Sequence, residues 1–420
     1  MIEANNPSLR SWVEVEENSD FPIQNLPFGI FKTNNKSPRV GVAIGSKIVD
    51  LLELAKAGFI VKDDELYDNL YLNDLMAKGK KFTSKLRTKL SALLNEDNSE
   101  LKDSAHRGKI IVNMKEAEML LPVKVGDYTD FYSSRDHATN VGMMFRDPEN
   151  ALLPNWLHIP VGYHGRASSI VVSGTDIHRP KGQLMPKDAS VPVFGESKLL
   201  DFELEMAFVT CKETKLGDTL TTETAKDAIW GMTIFNDLSA RDIQKWEYVP
   251  LGPYLGKSFG SVMSPWVVTM DALEPFAVEG YKQEEPKRLP YLDYEGNHNY
   301  DIKLEVALQP DTKKEHTICT SNYKYMYWNM LQQLTHQSIN GCNINVGDVY
   351  ASGTISGPTE GEYGSMLELT WAGKKTIKFP DGTERKFMQD NDTCIMRAFA
   401  EKDGVRIGFG ECVTKILPAK

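Results

Sequence analysis

The chain has 420 residues, enough for about two or three domains and for a large core that needs no disulfide or metal staple. Its 41% apolar and 25% charged residues exclude a disordered or fibrous chain. With 48 Lys and Arg against 58 Asp and Glu the formal net charge is −10, which opposes non-specific binding to nucleic acid or anionic membranes; an anionic substrate would need a local basic pocket.

The first residues are polar and acidic, with no basic stretch leading into an apolar run, and nothing approaches ~18 consecutive apolar residues. The expectation is a cytoplasmic (cytosolic) chain without a secretory signal or membrane span. Cys211, Cys319, Cys342, Cys394 and Cys412 show no CxxC pairing, which predicts reduced thiols and no zinc-thiolate site. Two apolar runs within Val40–Leu51 flank Gly45-Ser46, a hairpin signal. Leu86, Leu90, Leu93 and Leu94 predict an amphipathic helix. The stretch 95–109 is charged and apolar-poor, and a boundary is expected near residue 120, dividing 1–120 from 121–420. Beyond it, short strand-like runs dominate: 170–172, 202–209, 266–269, 302–308, 394–399 and 405–409. One helical face is marked by Tyr323, Met326, Tyr327, Met330, Leu331 and Leu334, with Ser321 as its expected cap and Asn340-Gly341 as its stop. Strands do not alternate regularly with helices, which argues against a doubly wound α/β fold.

Several common signatures fail. Gly252-Pro-Tyr-Leu-Gly256-Lys257-Ser258 is one residue short of a P-loop, and its proline removes an N–H that such a loop aims at phosphate. There is no GxSxG elbow, HExxH helix or EF-hand loop.

The strongest chemical signal is Leu200-Asp-Phe-Glu-Leu-Glu-Met-Ala-Phe208. On a strand, Phe202, Leu204, Met206 and Phe208 share one face, and Asp201, Glu203 and Glu205 share the other. The residues alone leave two readings. One is a half-exposed strand with a solvated acidic face. The other is a hard-cation site, because carboxylates at i and i+2 lie about 7 Å apart along a strand and can converge on one ion. Oxygen-only donors point to Ca²⁺ or Mg²⁺. Asp130 and Asp237 are further candidate ligands, Asp237 also reading as an ordinary turn residue. After a strand end at 231–235, Ser239 and Asp242 show capping-box spacing for a helix on which Arg241 and Gln244 face the same way. Among eight histidines, His137 alone sits in a cluster of Asp, Tyr, Ser and Arg.

Long motifs then carry a resemblance: SSRDHATNVG from Ser133, NWLHIPVGYHGRASS from Asn155, LLDFELEMAF from Leu199, ARDIQKWEYVPLGPYLGKSFG from Ala240 and ASGTISG from Ala351. Together, from Asp20 to near Pro418, the chain resembles the fumarylacetoacetate hydrolase family. The resemblance implies a mainly β fold with some α: a small SH3-like N-terminal barrel and a mixed β-sandwich roll, assembled as a homodimer. It implies calcium ligands at Asp130, Glu203, Glu205 and Asp237. It places a general base at His137 oriented by Glu368, oxyanion support at Arg241, Gln244 and Lys257, and substrate contacts at Tyr132, Arg146, Gln244, Tyr248 and Thr354, with Tyr163 nearby. A magnesium site would use Asp237, Lys257 and Ser261, the last standing where the family has threonine. The implied reaction is metal-dependent hydrolysis of a carbon–carbon bond in a diketo dicarboxylate, giving fumarate and acetoacetate in tyrosine and phenylalanine catabolism. Two other readings stand beside it. A related acylpyruvate or diketo-acid hydrolase would share the carboxylates, and a non-enzymatic Ca²⁺-binding β protein would leave His137, Glu368 and Lys257 unexplained.

Overall fold

A computed structural model of the chain describes residues 2–311 and 313–420. In the N-terminal part, β1 (Phe28–Thr33), β2 (Lys36–Ile44) and β3 (Lys47–Asp50) precede helix α1 (Lys80–Leu94), β4 (Ile111–Asn113) and β5 (Ala117–Leu120). The strands form an antiparallel sheet in the order β4-β3-β2-β1-β5. Gly45 turns β2 into β3 at φ +52, in the left-handed region that a two-residue hairpin loop requires. The α1 leucines are buried as their spacing predicts. The charged stretch 95–109 carries two short helices, Ser99–Lys102 and Arg107–Ile110, which tuck in Leu101 and Ile110.

The rest of the chain is built on two sheets. The larger contains β6 (Tyr128–Phe131), β7 (Gly162–His164), β8 (Ile170–Val172), β10 (Leu204–Thr210), β11 (Ile229–Asp237), β13 (Ser261–Met263) and β16 (Val349–Ala351). Their order is β7-β6-β16-β10-β11-β13-β8, with Val268–Thr269 also on β11. Beside it lie the two-residue pair β9 (Leu200–Asp201) and β12 (Ser239–Ala240), and helices α2 (Arg135–Phe145) and α3 (Arg241–Glu247). The second sheet joins β14 (Lys303–Gln309), β15 (His316–Asn322), β17 (Thr393–Lys402) and β18 (Val405–Leu417) in the order β15-β14-β17-β18, with Ile177–His178 at its edge.

The main core sits between these sheets. Phe202, Leu204, Met206 and Phe208 meet Leu304, Val306, Met396 and Phe409 there. The opposite face of β10 is buried as well: Ala207 and Val209 pack with Trp230 into the N-terminal core of Val40, Val42 and Leu90. Each such fully buried large side chain contributes ~1.5–3 kcal/mol of transfer free energy, so both faces of β10 are strongly held. All five cysteines are free. No helix among the described residues is long and apolar enough to cross a membrane.

Two local expectations fail. The helix expected from Tyr323 begins seven residues later, as α4 (Met330–Ser338), and Asn329 caps it in a capping box with Gln332. Ser321 lies in β15, and Tyr323–Tyr325 is a single 3₁₀ turn. Tertiary contacts override the helical spacing: Met326 bridges to Ser134, and Tyr327 N donates to Ser133 O at 3.0 Å. Likewise, Ser239 caps nothing. It is in β12, its hydroxyl donates to Asp237 O at 3.1 Å, and Asp242 accepts from Ser197 Oγ at 2.6 Å and Lys198 N at 2.7 Å.

Candidate active site

Strand register assembles the acidic groups. Asp130 on β6 lies opposite Tyr163 on β7, and Asp237 on β11 lies opposite Ser261 on β13. Glu205 on β10 faces Phe235 of β11, next to the end of β16, where Gly353 N donates to its Oε2 at 3.1 Å. Gly353 has φ +76, and a Cβ there would stand 2.2 Å from Phe131 O, so only glycine fits this approach. One oxygen from each of Asp130, Glu203, Glu205 and Asp237 falls within 4.8 Å of the others, and all four residues are buried. The solvated-face reading of 201–205 is therefore overturned: Asp201, Glu203 and Glu205 are 0%, 5% and 0% exposed.

Four buried carboxylates repel. Burial, then the charge of Asp237, pushes the Asp130 carboxyl well above its ordinary range, and burial, then Asp130, does the same to Glu205. Asp130 Oδ1 and Glu205 Oε1 are buried with no hydrogen-bond partner among the described residues. An oxygen-only, self-repelling donor set with unsatisfied acceptors fits a hard divalent cation.

Two cations border the cluster. Lys257 Nζ donates to Glu203 Oε2 and, at 2.7 Å, to Asp237 Oδ2. Arg241 Nη1 donates to Glu203 Oε1 at 2.7 Å. Burial disfavours the Lys257 ammonium, but Asp237, Glu203 and Asp130 outweigh it and hold the amine well above its usual value. Burial acts on Glu203 in the opposite sense to Lys257 and Arg241, which win and hold it ionised. Ser261 Oγ and Tyr163 Oη donate to Asp237 at 2.8 and 3.0 Å. Arg241 Nη2 and Thr354 Oγ1 are buried without a partner among the described residues, a free donor and a free hydroxyl beside the cluster.

His137 lies in the first turn of α2, behind its Ser134 cap. Its Nδ1 is 2.7 Å from Glu368 Oε2. Glu368 is on the short helix α5 (Met366–Leu369), and three more side chains donate to it: Asn140 Nδ2 at 3.0 Å, Ser356 Oγ at 2.9 Å and Ser365 Oγ at 2.8 Å. Burial raises the Glu368 carboxyl, but His137, Asn140 and Ser365 outweigh it and hold it below its ordinary value. An ionised carboxylate only accepts, so Nδ1 carries a proton, and in the neutral ring Nε2 is then the nitrogen with the free lone pair. The Tyr132 ring meets His137 edge-on, with centroids 5.2 Å apart.

Most of the anticipated residues thus converge. Gln244 joins through Oε1, which accepts from Arg241 Nη1 at 3.3 Å. Arg146 and Tyr248 make no side-chain hydrogen bond to these groups among the described residues: Arg146 Nη2 donates to Ala151 O at 2.7 Å, and Tyr248, 53% exposed, follows α3. Asn140, Ser356 and Ser365 went unanticipated. Asn140 was findable at i+3 from His137 on one helix face, and Ser365 from its Ser-x-x-Glu spacing to Glu368. Ser356 arrives on an irregular loop with no local signal.

Comparisons with known proteins place the chain among relatives. Residues 127–417 match the family described as fumarylacetoacetate (FAA) hydrolase C-terminal, and residues 24–122 match fumarylacetoacetase N-terminal. The chain is 53% identical over 415 residues to the fumarylacetoacetases of Bos taurus and Homo sapiens, covering 97% of this chain and 99% of each relative. It is 47% identical over 418 residues to that of Arabidopsis thaliana, covering 98% of this chain and 99% of the relative. Among solved structures, a fumarylacetoacetate hydrolase from psychrophilic Exiguobacterium antarcticum (17% identity) and a maleylpyruvate hydrolase from Sphingobium (14%) share the fold, each with TM-score 0.51 over 94% of this chain and 100% of theirs.

Proposed function

The chain belongs to the fumarylacetoacetate hydrolase family, and from that premise we propose how its residues divide the work of catalysis. It is a hydrolase that splits the carbon–carbon bond of fumarylacetoacetate into fumarate and acetoacetate, in tyrosine and phenylalanine catabolism. Water must add to the fumaroyl ketone, and the acetoacetate carbon must leave with the bonding electrons, which the neighbouring carbonyl accepts as an enolate. The reading rests chiefly on one observation, the His137 Nδ1–Glu368 Oε2 contact of 2.7 Å beside a cluster of carboxylates and cations.

His137 takes the proton of water at Nε2 while Glu368 holds the tautomer and stabilises the imidazolium. The free Nη2 of Arg241, the Gln244 amide and the Lys257 ammonium meet the oxyanion, where one well-placed donor contributes ~3–4 kcal/mol. The imidazolium then returns its proton to the departing enolate carbon. Tyr132, Arg146, Tyr163, Tyr248 and Thr354 hold the dianionic substrate.

Asp130, Glu203, Glu205 and Asp237 hold Ca²⁺ in this reading, which when bound supplies Lewis-acid polarisation of the substrate's ketone oxygens. We place Mg²⁺ at Asp237, Ser261 and Lys257. A protonated amine has no lone pair, so only the main-chain carbonyl of Lys257 can serve there. We further propose two units, 1–120 and 121–420, in a cytosolic homodimer. The exposed apolar run Trp246, Tyr248, Val249, Leu251, Tyr254 and Leu255 beside the site supports a partner surface.

The test is a panel of diketo acids followed by loss of diketone ultraviolet absorbance. Fumarylacetoacetate should have the highest kcat/KM. A higher value for an acylpyruvate would move the assignment to that class, whose fold is shared. No turnover of any diketo acid would leave a Ca²⁺-binding protein.

A further inference from the structure

Of the three acidic residues that alternate on 201–205, Asp201 is the one the four-carboxylate cluster does not include. It is nevertheless completely buried, and it makes three hydrogen bonds. Its Oδ2 accepts from Arg241 Nε at 2.9 Å and from Leu367 N at 2.9 Å, and its Oδ1 accepts from Met366 N at 2.7 Å. Pairing of Asp201 with Ser239 across β9 and β12 brings it beside the start of α3, where Arg241 stands. The same carboxylate closes the first turn of α5, satisfying the two amides that its cap Ser365 leaves over, since Ser365 Oγ takes the third, Glu368 N.

We propose that Asp201 is a positioning residue that registers the oxyanion donor and the base-orienting carboxylate against each other. A guanidinium tied at Nε by Asp201 and at Nη1 by Glu203 has its plane fixed, which leaves Nη2 as the preorganised donor. Two amides tied to the same carboxylate fix the turn that carries Glu368, and through it His137. One buried group thus couples the Arg241 side of the site to the Glu368 side, without touching substrate. The inference rests on the roles proposed above for Arg241 and Glu368.

Asp201→Asn tests it. Of the three donors, the amide oxygen can keep those on one side only, and its NH₂ faces the others donor to donor. The expected result is a kcat loss on the order of 10²-fold, with bound metal retained, measured alone and in Arg241→Met and Glu368→Gln backgrounds. Positioning through both partners predicts that the Asp201→Asn factor shrinks in each background. A factor that stays the same in all three, or a kcat within about twofold of the parent, overturns the proposal. If Asp201→Asn does not fold, Asp201→Glu keeps the charge and displaces it by one methylene, and the same comparison applies. Failure of both to fold makes Asp201 structural and also refutes the proposal. If Arg241→Met and Glu368→Gln themselves leave kcat unchanged, the fault lies in the site assignment.

Discussion

Glu368→Gln separates a catalytic relay from a merely buried carboxylate. In the parent, Oε2 accepts from His137 Nδ1 and Ser365 Oγ, and Oε1 accepts from Asn140 Nδ2. The variant keeps the volume but has one oxygen for these donors. If its oxygen stays on His137, the tautomer survives but the charge that stabilises the imidazolium is gone. At about 4 Å between charge centres and an effective dielectric of ~20, that charge is worth ~4 kcal/mol, or about 10³ in rate. If the amide flips so that its oxygen satisfies Asn140, its NH₂ faces Nδ1 and forces the proton onto Nε2, which can then no longer act as base. In comparable triads that error costs on the order of 10⁴. The structure therefore predicts a kcat reduced by ~10³–10⁴ with KM nearly unchanged, because Glu368 is only 1% exposed and has no route to substrate. The assay is steady-state loss of diketone absorbance alongside metal content, which should stay at the parent level. A kcat loss under about tenfold would falsify the relay and leave Glu368 a structural anchor for α2 and α5.

How much of this was legible depends on whether an interaction is local. The strand period alone separated Phe202, Leu204, Met206 and Phe208 from the acids between them, and those four do enter the main core. The acidic face could not be settled locally, because what buries it comes from elsewhere. Arg241 and Lys257 arrive after β11, and Asp130 arrives from β6 through parallel pairing with β16. Periodicity misled at Tyr323–Tyr327, where Met326 and Tyr327 spend their backbone groups bracing the start of α2. Ser239-x-x-Asp242 misled for a related reason, since strand pairing with Asp201 claimed Ser239 first. The four acids of the cluster and His137 stand out from the residues alone, whereas the roles of Glu368, Lys257 and the substrate contacts come from the resemblance. What resemblance did not supply, Asn140, Ser356, Ser365 and Asp201, are the groups that hold the others in place.

Three further tests bear on separate parts of the argument. Lys257→Met keeps most of the stem and removes the charge, and should lower kcat by on the order of 10²-fold; an unchanged kcat with raised KM makes Lys257 a substrate anchor instead. Glu205→Ala should lose bound metal and activity together, whereas His137→Ala should keep the metal and lose most of kcat; chelation should abolish activity and Ca²⁺ or Mg²⁺ restore it. Full activity in protein that elemental analysis finds metal-free, or metal loss in His137→Ala, would contradict that division. Asp348 lies away from the catalytic groups and tests the electrostatics of burial alone. Burial pushes its carboxyl from 3.8 up to about 6, against the Asn345 and Asp127 amides that donate to it. Between those values the folded chain holds the proton more tightly than the unfolded one, so this group's contribution to unfolding free energy falls as pH rises through the window. About two pKa units correspond to ~3 kcal/mol. Asp348→Asn retains one acceptor and cannot ionise, so its urea-unfolding free energy relative to the parent should rise between pH 4 and pH 7. A difference that stays flat across that range would mean the carboxyl titrates normally and that the amides at Asn345 and Asp127, not burial, govern it.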